Sequence, residues 1–195
     1  MKTRKKSALS YPEKMQIIER WTVRFAQCFV GGTVTSPNHP YGDLRHEDGS
    51  YSEVKSAGES SGAIIRRKQL QTHCAGPTRN YVLVYRDNRV RKDGGWDYPT
   101  LRHGTSQKAL EKHLLATVSE VCIVDKTGIK ILYKKMRRRE KTYHFQAGPK
   151  GYVKMRRTDF LGLLLHGFQH GGQLRHIRFE GKNVRVGETR VPAKT

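Results

Sequence analysis

The segment from Tyr41 to Lys55, YGDLRHEDGSYSEVK, carries the side chains best suited to chemistry. Asp43, Glu53 and Lys55 lie on two short strand-like runs, which the turn formers Asp48 and Gly49 join. Carboxylate oxygens are the ligands that Mg²⁺ takes in proteins, and a bound phosphate completes its coordination. The segment could therefore hold a divalent metal against a phosphate group.

The length of the turn decides whether the two carboxylates can meet. A two-residue turn over Asp48 and Gly49 sends Asp43 and Glu53 to opposite faces of the hairpin, because side chains alternate along a strand. A three-residue turn, Glu47-Asp48-Gly49, with Gly49 in the left-handed conformation, places Asp43 directly across from Glu53. Lys55 then shares their face.

In that register Leu44 and Val54 point into the core, so the hairpin has a buried side and a chemical side. Two carboxylates at a cross-strand distance of about 5 Å can ligate one Mg²⁺. The metal would offset developing charge on a phosphate and acidify a bound water, and Lys55 would lie beside that water. The alternative is an ordinary surface hairpin, since Glu-x-Lys by itself is a common pattern.

The charge of the chain indicates a polyanionic partner. Lys and Arg number 38 against 17 Asp and Glu, which gives a formal net charge of +21 over 195 residues. No apolar run approaches the roughly 18 to 20 residues of a membrane-spanning helix, and no apolar signal-peptide core follows the basic first residues. We expect a soluble, cytoplasmic protein without a membrane partner. Three widely spaced cysteines support neither a disulfide framework nor a zinc site.

The elements around the hairpin follow from hydrophobic periodicity and from turn formers. They predict an α/β fold whose order is helix, strands, helix, strand, helix and more strands. The predicted elements are a helix over 11–29, a helix over 64–73, a buried strand over 81–85, a long functional loop over 87–104, a helix over 105–117, a hairpin of 118–124 with 129–133, a strand over 152–155, a helix from 158 and a hairpin of 176–179 with 183–186.

The pattern of Asp43 followed by Glu53-Val54-Lys55 resembles the PD-(D/E)XK nuclease superfamily. In several branches a Gln begins the next helix, which Gln69 matches, and an acidic residue of the first helix joins the site, for which Glu19 is the candidate. Gly42 stands where the family often has Pro. The resemblance implies a catalytic set of five residues, namely Asp43, Glu53, Lys55, Gln69 and Glu19.

The same resemblance implies a restriction-endonuclease-like core over residues 1–133, with a central mixed sheet flanked by helices. Residues 134–195 would be a basic, β-rich extension of the same domain, for DNA grip or dimer contact. It also implies hydrolysis of phosphodiester bonds with Mg²⁺, for which Mn²⁺ can substitute. Asp43, Glu53 and the Val54 carbonyl would hold the metal.

Two basic segments are candidates for contact with nucleic acid. The run KKMRRREK from Lys134 to Lys141 would bind phosphates, and the long loop could enter a groove, where Arg can pair with guanine edges. The alternative for the run is a charged face that is simply solvated, and the alternative for the loop is that its tryptophan packs within the loop. The residues concerned are Lys134, Lys135, Arg137, Arg138 and Arg139 in the run, and Arg89, Arg91, Trp96 and Arg102 in the loop.

The sequence therefore predicts a Mg²⁺-dependent endonuclease acting on double-stranded DNA, first of all a type II restriction endonuclease. A Holliday junction resolvase or another structure-selective nuclease is the second hypothesis. Cutting both strands requires two active sites, so we expect a homodimer. A non-catalytic, basic nucleic-acid-binding protein is the competing hypothesis from another class, and it explains the charge equally well.

Overall fold

The computed structural model describes residues 9–58, 63–86, 106–138, 152–155, 173–180 and 183–190. The described elements are, in chain order, α1 (Tyr11–Val30), β1 (Thr33–Val34), β2 (Leu44–Arg45), β3 (Tyr51–Gly58), β4 (Ala63–Arg66), α2 (Arg67–Ala75), β5 (Thr78–Arg86), α3 (Gln107–Thr117), β6 (Val118–Asp125), α4 (Lys126–Arg138), β7 (Tyr152–Met155), β8 (Gln173–Glu180) and β9 (Asn183–Arg190).

Seven of these strands form one mixed sheet in the order β1-β2-β3-β5-β6-β8-β9. The central pair, β3 and β5, is parallel, whereas the other neighbours in this sheet are antiparallel. β4 pairs separately with β7. Helices α1, α2 and α4 pack on the strands, so the predicted α/β fold with a mixed sheet flanked by helices is confirmed.

The first helix forms as the sequence predicts. The Ser10 side chain accepts the Glu13 N–H, and the Glu13 carboxylate accepts the Ser10 N–H in return, which satisfies two backbone donors at the helix start. The helix ends at Val30, and Gly31 follows with φ of 68°, a conformation that favours glycine.

α1 covers one face of the sheet and leaves the other face to α2 and α4. Val23 and Ala26 of α1 pack in one cluster with Leu44 and Val54 of the hairpin. This arrangement confirms that the two hairpin side chains point into the core. Because side chains alternate along β3, Glu53 lies on the opposite face, towards α2.

Two predicted elements differ from the structure. The segment over 64–73 was expected to be one helix, but Ala63–Arg66 forms β4 and the helix begins at Arg67. Alternate residues of β4 are buried and exposed, and they pair in antiparallel register with β7. Strand pairing therefore outweighs helical propensity there.

The predicted hairpin of 118–124 with 129–133 is wrong, because β6 runs directly into α4. Asp125, expected in the turn, instead accepts the Gly128 N–H through Oδ1 at 2.8 Å and so satisfies a donor in the first turn of the helix. Ile129 is fully buried on the side of α4 that faces the sheet. The described part of the basic run, Lys134 to Arg138, thus continues a helix instead of following a strand.

The C-terminal strands pair with strands from the first part of the chain. β7 pairs with β4, and β8 pairs with β6, so the sheet includes strands from 134–195. The strand over 152–155 and the last hairpin are confirmed, and the hairpin extends over 173–180 and 183–190. The loop over 87–104 lies outside the described residues, as does the helix from 158.

Among the described residues, no helix is long and apolar enough to span a bilayer.

Candidate active site

The hairpin has the three-residue turn on which the site depends. Leu44 pairs with Ser52 and Arg45 pairs with Tyr51, and the turn closes with a hydrogen bond of 3.0 Å from the Gly49 N–H to the His46 carbonyl. Gly49 has φ of 77°, the left-handed conformation. The predicted register is therefore confirmed.

Asp43 lies just beyond the last strand pair and is fixed by three hydrogen bonds, one of them from the Thr35 N–H to its carbonyl at 2.9 Å. Its N–H donates to the Ser52 carbonyl at 2.9 Å, and its Oδ2 accepts the Val54 N–H at 2.8 Å. Gly42 makes this close approach possible, because a Cβ at Gly42 would lie 2.6 Å from the Ser52 carbonyl oxygen and φ there is 145°. A glycine at this position thus has a local structural reason.

Glu53 is the centre of the polar group on the α2 face. Its side chain is buried, with only 3% exposed. Oε1 forms an ion pair with Lys55 and accepts a hydrogen bond of 2.6 Å from Nε2 of Gln69, the third residue of α2. The structure therefore brings together Asp43, Glu53 and Lys55, as the spacing predicts, and adds Gln69, which the resemblance implied.

The pKa values of the Asp43 and Glu53 carboxyl groups are both raised. Burial, and after it the nearby charge of Glu53, raise the pKa of Asp43 to about 6 against the hydrogen bond from Val54. Burial also raises the pKa of Glu53, which Lys55 and Gln69 partly oppose. The exposed Glu19 of α1 makes a smaller contribution in the same direction to both pKa values. Glu19 is thus near enough to act on the pair electrostatically.

The sequence reasoning missed a buried histidine behind Glu53. His73 is completely buried, and its Nδ1 and Nε2 lie 2.6 Å from the Tyr81 hydroxyl and 3.1 Å from the Pro40 carbonyl. A carbonyl only accepts, so Nε2 carries the proton and the tyrosine donates to Nδ1. Burial lowers the pKa of His73 to about 4, so the ring is neutral.

Nε2 of His73 also lies 3.8 Å from Oε2 of Glu53, so the ring contacts the second oxygen of the central carboxylate. A signal in the sequence could have found it. His73 follows Gln69 by four residues, and residues at that spacing share one face of a helix. A helix that presents Gln69 to Glu53 therefore presents His73 as well.

The predicted nucleic-acid contacts divide between described and undescribed parts of the chain. Lys134 is exposed on α4, and Lys135, Arg137 and Arg138 lie on the same helix. Arg89, Arg91, Trp96, Arg102 and Arg139 lie outside the described residues.

A groove of about 630 Å³ lies at the turn end of the hairpin, and the two carboxylates do not line it. Arg45, His46 and Arg79 line it together with Asp48 and Glu47. Arg79 forms an ion pair of 3.6 Å with Asp48, so the groove carries both signs of charge.

Comparison with known proteins gives no family: no protein-family model matches the chain, and no curated protein matches it. The geometry of the residues therefore has to carry any functional conclusion.

The carboxylates of Asp43 and Glu53 fit a hard divalent cation such as Mg²⁺. This ion takes few protein oxygens, and water or phosphate fills its remaining coordination positions. A cation between the two carboxylates would relieve the repulsion that Glu53 exerts on the ionised form of Asp43. Among the described residues, no three His, Cys, Asp or Glu side chains converge on one metal position. Any cation here would therefore rely on few protein ligands.

Proposed function

We propose that the protein is a Mg²⁺-dependent endonuclease of the PD-(D/E)XK type that hydrolyses phosphodiester bonds in DNA. The observation that supports this proposal is the clustering of four polar side chains on one face of the sheet, those of Asp43, Glu53, Lys55 and Gln69. The pKa values of both carboxyl groups in this cluster are raised. A surface hairpin with a structural Glu-x-Lys has no need of a buried glutamate.

Asp43 and Glu53 would hold the metal. Hydrogen bonds occupy Oδ2 of Asp43 and Oε1 of Glu53, so Oδ1 and Oε2 would be the ligating oxygens. Bound Mg²⁺, or Mn²⁺ in its place, would supply charge stabilisation at the phosphate and lower the pKa of a water molecule. The Val54 carbonyl, one residue on from Glu53, is the third proposed ligand.

The protein's own side chains have separate tasks in this proposal. Lys55 favours the ionised form of Glu53 and would place a positive charge beside the reacting phosphate. Gln69 fixes the rotamer of Glu53, and neutral His73 closes the opposite side of that carboxylate. Glu19 adds negative charge from α1 and thereby strengthens the attraction for a cation.

DNA is the proposed substrate because a net charge of +21 suits a polyanion. Sequence-specific cutting of duplex DNA, as by a type II restriction endonuclease, is the first subtype, and a homodimer would supply its two active sites. A structure-selective nuclease, such as a junction resolvase, is the second candidate. It is favoured by an aromatic stack beside the site, in which the rings of His39 and Tyr51 lie 4.6 Å apart.

The test is plasmid nicking with Mg²⁺ or with EDTA, by wild type, Glu53→Gln and Glu47→Gln. Glu47 lies in the exposed turn of the same hairpin and is the matched control. We expect Mg²⁺-dependent nicking that Glu53→Gln lowers by about 100-fold or more and that Glu47→Gln leaves unchanged. Nicking that persists in Glu53→Gln would refute the assignment.

A second readout does not need turnover. Mg²⁺ that binds only the folded protein should raise the Tm of wild type and not that of Glu53→Gln. Cleavage at fixed sites on a long DNA would favour restriction, whereas preferential cutting of four-way junctions would favour a resolvase.

A further inference from the structure

The face of the hairpin that carries the carboxylates also carries an aromatic group. Tyr51 precedes Glu53 by two residues on β3, so the two side chains share one face. The ring of His39 stacks on Tyr51 with centroids 4.6 Å apart and planes at 16°. Tyr41 lies edge-on to His39 at 6.0 Å and tilted to Tyr51 at 5.8 Å.

Hydrogen bonds and close packing hold the backbone of the stacked residues in place. The Tyr51 N–H donates to the Pro77 carbonyl at 3.1 Å, and the Tyr41 carbonyl accepts a hydrogen bond of 2.6 Å from Thr78. The ring of Tyr41 lies so close to Gly76 that a Cβ there would be 2.6 Å from it. The backbone around the rings is therefore ordered before any ligand binds.

The three rings are only partly buried, so part of their surface remains open to a ligand. An exposed arginine accompanies them. Arg45 is the cross-strand partner of Tyr51, and directly paired residues lie on the same face of a sheet about 5 Å apart. The face thus presents aromatic surface beside a positive charge, adjacent to Asp43 and Glu53.

We propose that His39, Tyr51 and Arg45 form a subsite for an unpaired nucleotide next to the scissile phosphate. The base stacks on the aromatic group, and Arg45 contacts a neighbouring phosphate. This inference rests on the proposed nuclease function in its second, structure-selective form, and it names the substrate class: DNA in which the nucleotide beside the cut is unpaired, as at a bulge, a flap or a junction.

The dimensions agree with this placement. Residues two apart on a strand are separated by about 7 Å. Stacked nucleotides advance by about 3.4 Å along one strand, so Tyr51 lies one to two nucleotides from a phosphate held at Glu53. Inside a duplex both faces of a base are already covered by its neighbours. Aromatic side chains therefore select bases that are unpaired.

The test measures binding without cleavage, by fluorescence anisotropy in EDTA. A duplex with a single-nucleotide bulge is compared with the fully paired duplex, for wild type, Tyr51→Leu and Tyr51→Phe. We expect wild type and Tyr51→Phe to bind the bulged DNA about ten-fold more tightly, and Tyr51→Leu to bind both alike, because one stacked base accounts for a difference of this size. Tyr11→Leu, which removes an exposed tyrosine at the start of α1, is the matched control and should keep the preference.

A second probe uses wild-type protein alone, so it stands even if Tyr51→Leu fails to fold. With 2-aminopurine as the bulged base, stacking on the aromatic group should quench its fluorescence. Equal affinity of wild type for the two DNAs, an unquenched probe, or a preference retained by folded Tyr51→Leu would each overturn the subsite. Loss of the nuclease proposal has a different signature, since it would abolish Mg²⁺-dependent nicking and leave the preference in EDTA intact.

Discussion

Asp43→Asn should make the metal-free protein more stable at neutral pH while it removes a proposed metal ligand. The pKa of Asp43 rises from 3.8 to about 6 on folding, and one pKa unit corresponds to about 1.4 kcal/mol. The ionised carboxylate therefore costs the folded state about 3 kcal/mol. Asparagine carries no charge, and its carbonyl can still accept the Val54 N–H. We expect the free energy of unfolding to rise by about 1 to 3 kcal/mol at pH 7.5.

The size of the effect on the free energy of unfolding depends on pH in a defined way. Asp43 is protonated in both the folded and the unfolded chain below about pH 3.8, so the penalty is absent there. It develops between pH 3.8 and about 6 and is fully present above that range. The difference between Asp43→Asn and wild type should therefore shrink as the pH falls through this window.

His73 contributes a pH dependence of the opposite direction. Its pKa is lowered on folding to about 4, so the folded state loses stability as the pH falls from 6.5 towards 4. Both proteins retain His73, and the causes of its shift do not include Asp43. Its contribution therefore cancels in the difference between variant and wild type.

The assay is urea denaturation in EDTA at pH 7.5 and at pH 4.5, with Asp48→Asn as the matched control. Asp48 lies on the same hairpin, but hydrogen bonds from Ser50 lower its pKa, so loss of its charge should give no gain in stability. Saturating Mg²⁺ should stabilise wild type and narrow or reverse the gap to Asp43→Asn. A loss of stability in Asp43→Asn at pH 7.5 in EDTA would refute the claim that the ionised Asp43 carboxylate destabilises the folded state.

Three further predictions concern single residues. Gly49→Ala should lower the free energy of unfolding by about 1 kcal/mol for conformational reasons alone, since a Cβ there meets nothing within 4 Å; a neutral result in urea denaturation would contradict the left-handed turn. Gln69→Leu should slow nicking by about 10- to 100-fold, because it frees the rotamer of Glu53, while urea denaturation shows a loss below about 2 kcal/mol; an unchanged rate would remove Gln69 from the site. His73 should stay neutral down to about pH 4 in NMR titrations, and a midpoint near 6.5 would show that the ring is not buried as described.

The hairpin could be predicted from the sequence because its geometry is local. A glycine three residues into the turn sets the register, and the two-residue period of a strand then determines which side chains share a face. Asp43, Glu53 and Lys55 therefore follow from their spacing alone. α1 is similar, since Ser10 and Glu13 satisfy the helix start within a single turn.

The errors lie where packing between distant segments decides the structure. The segment after Asp125 contains residues suited to a turn, yet it begins α4, which packs against β5 and β6. β4 likewise takes its form from pairing with β7, whose residues lie almost 90 positions further along the chain. Hydrogen-bond partners so far apart leave no pattern within either segment.

By itself, the sequence determined which side chains could do chemistry and the face that they share, because turn type and strand period are properties of neighbouring residues. Only the tertiary structure decided how far the pKa values of these side chains are shifted. Packing of α2 beside the parallel pair β3 and β5 brings Gln69 and His73 against Glu53 and buries the carboxylates. Burial raises the two carboxylate pKa values, and desolvation depends on everything that surrounds a group in space.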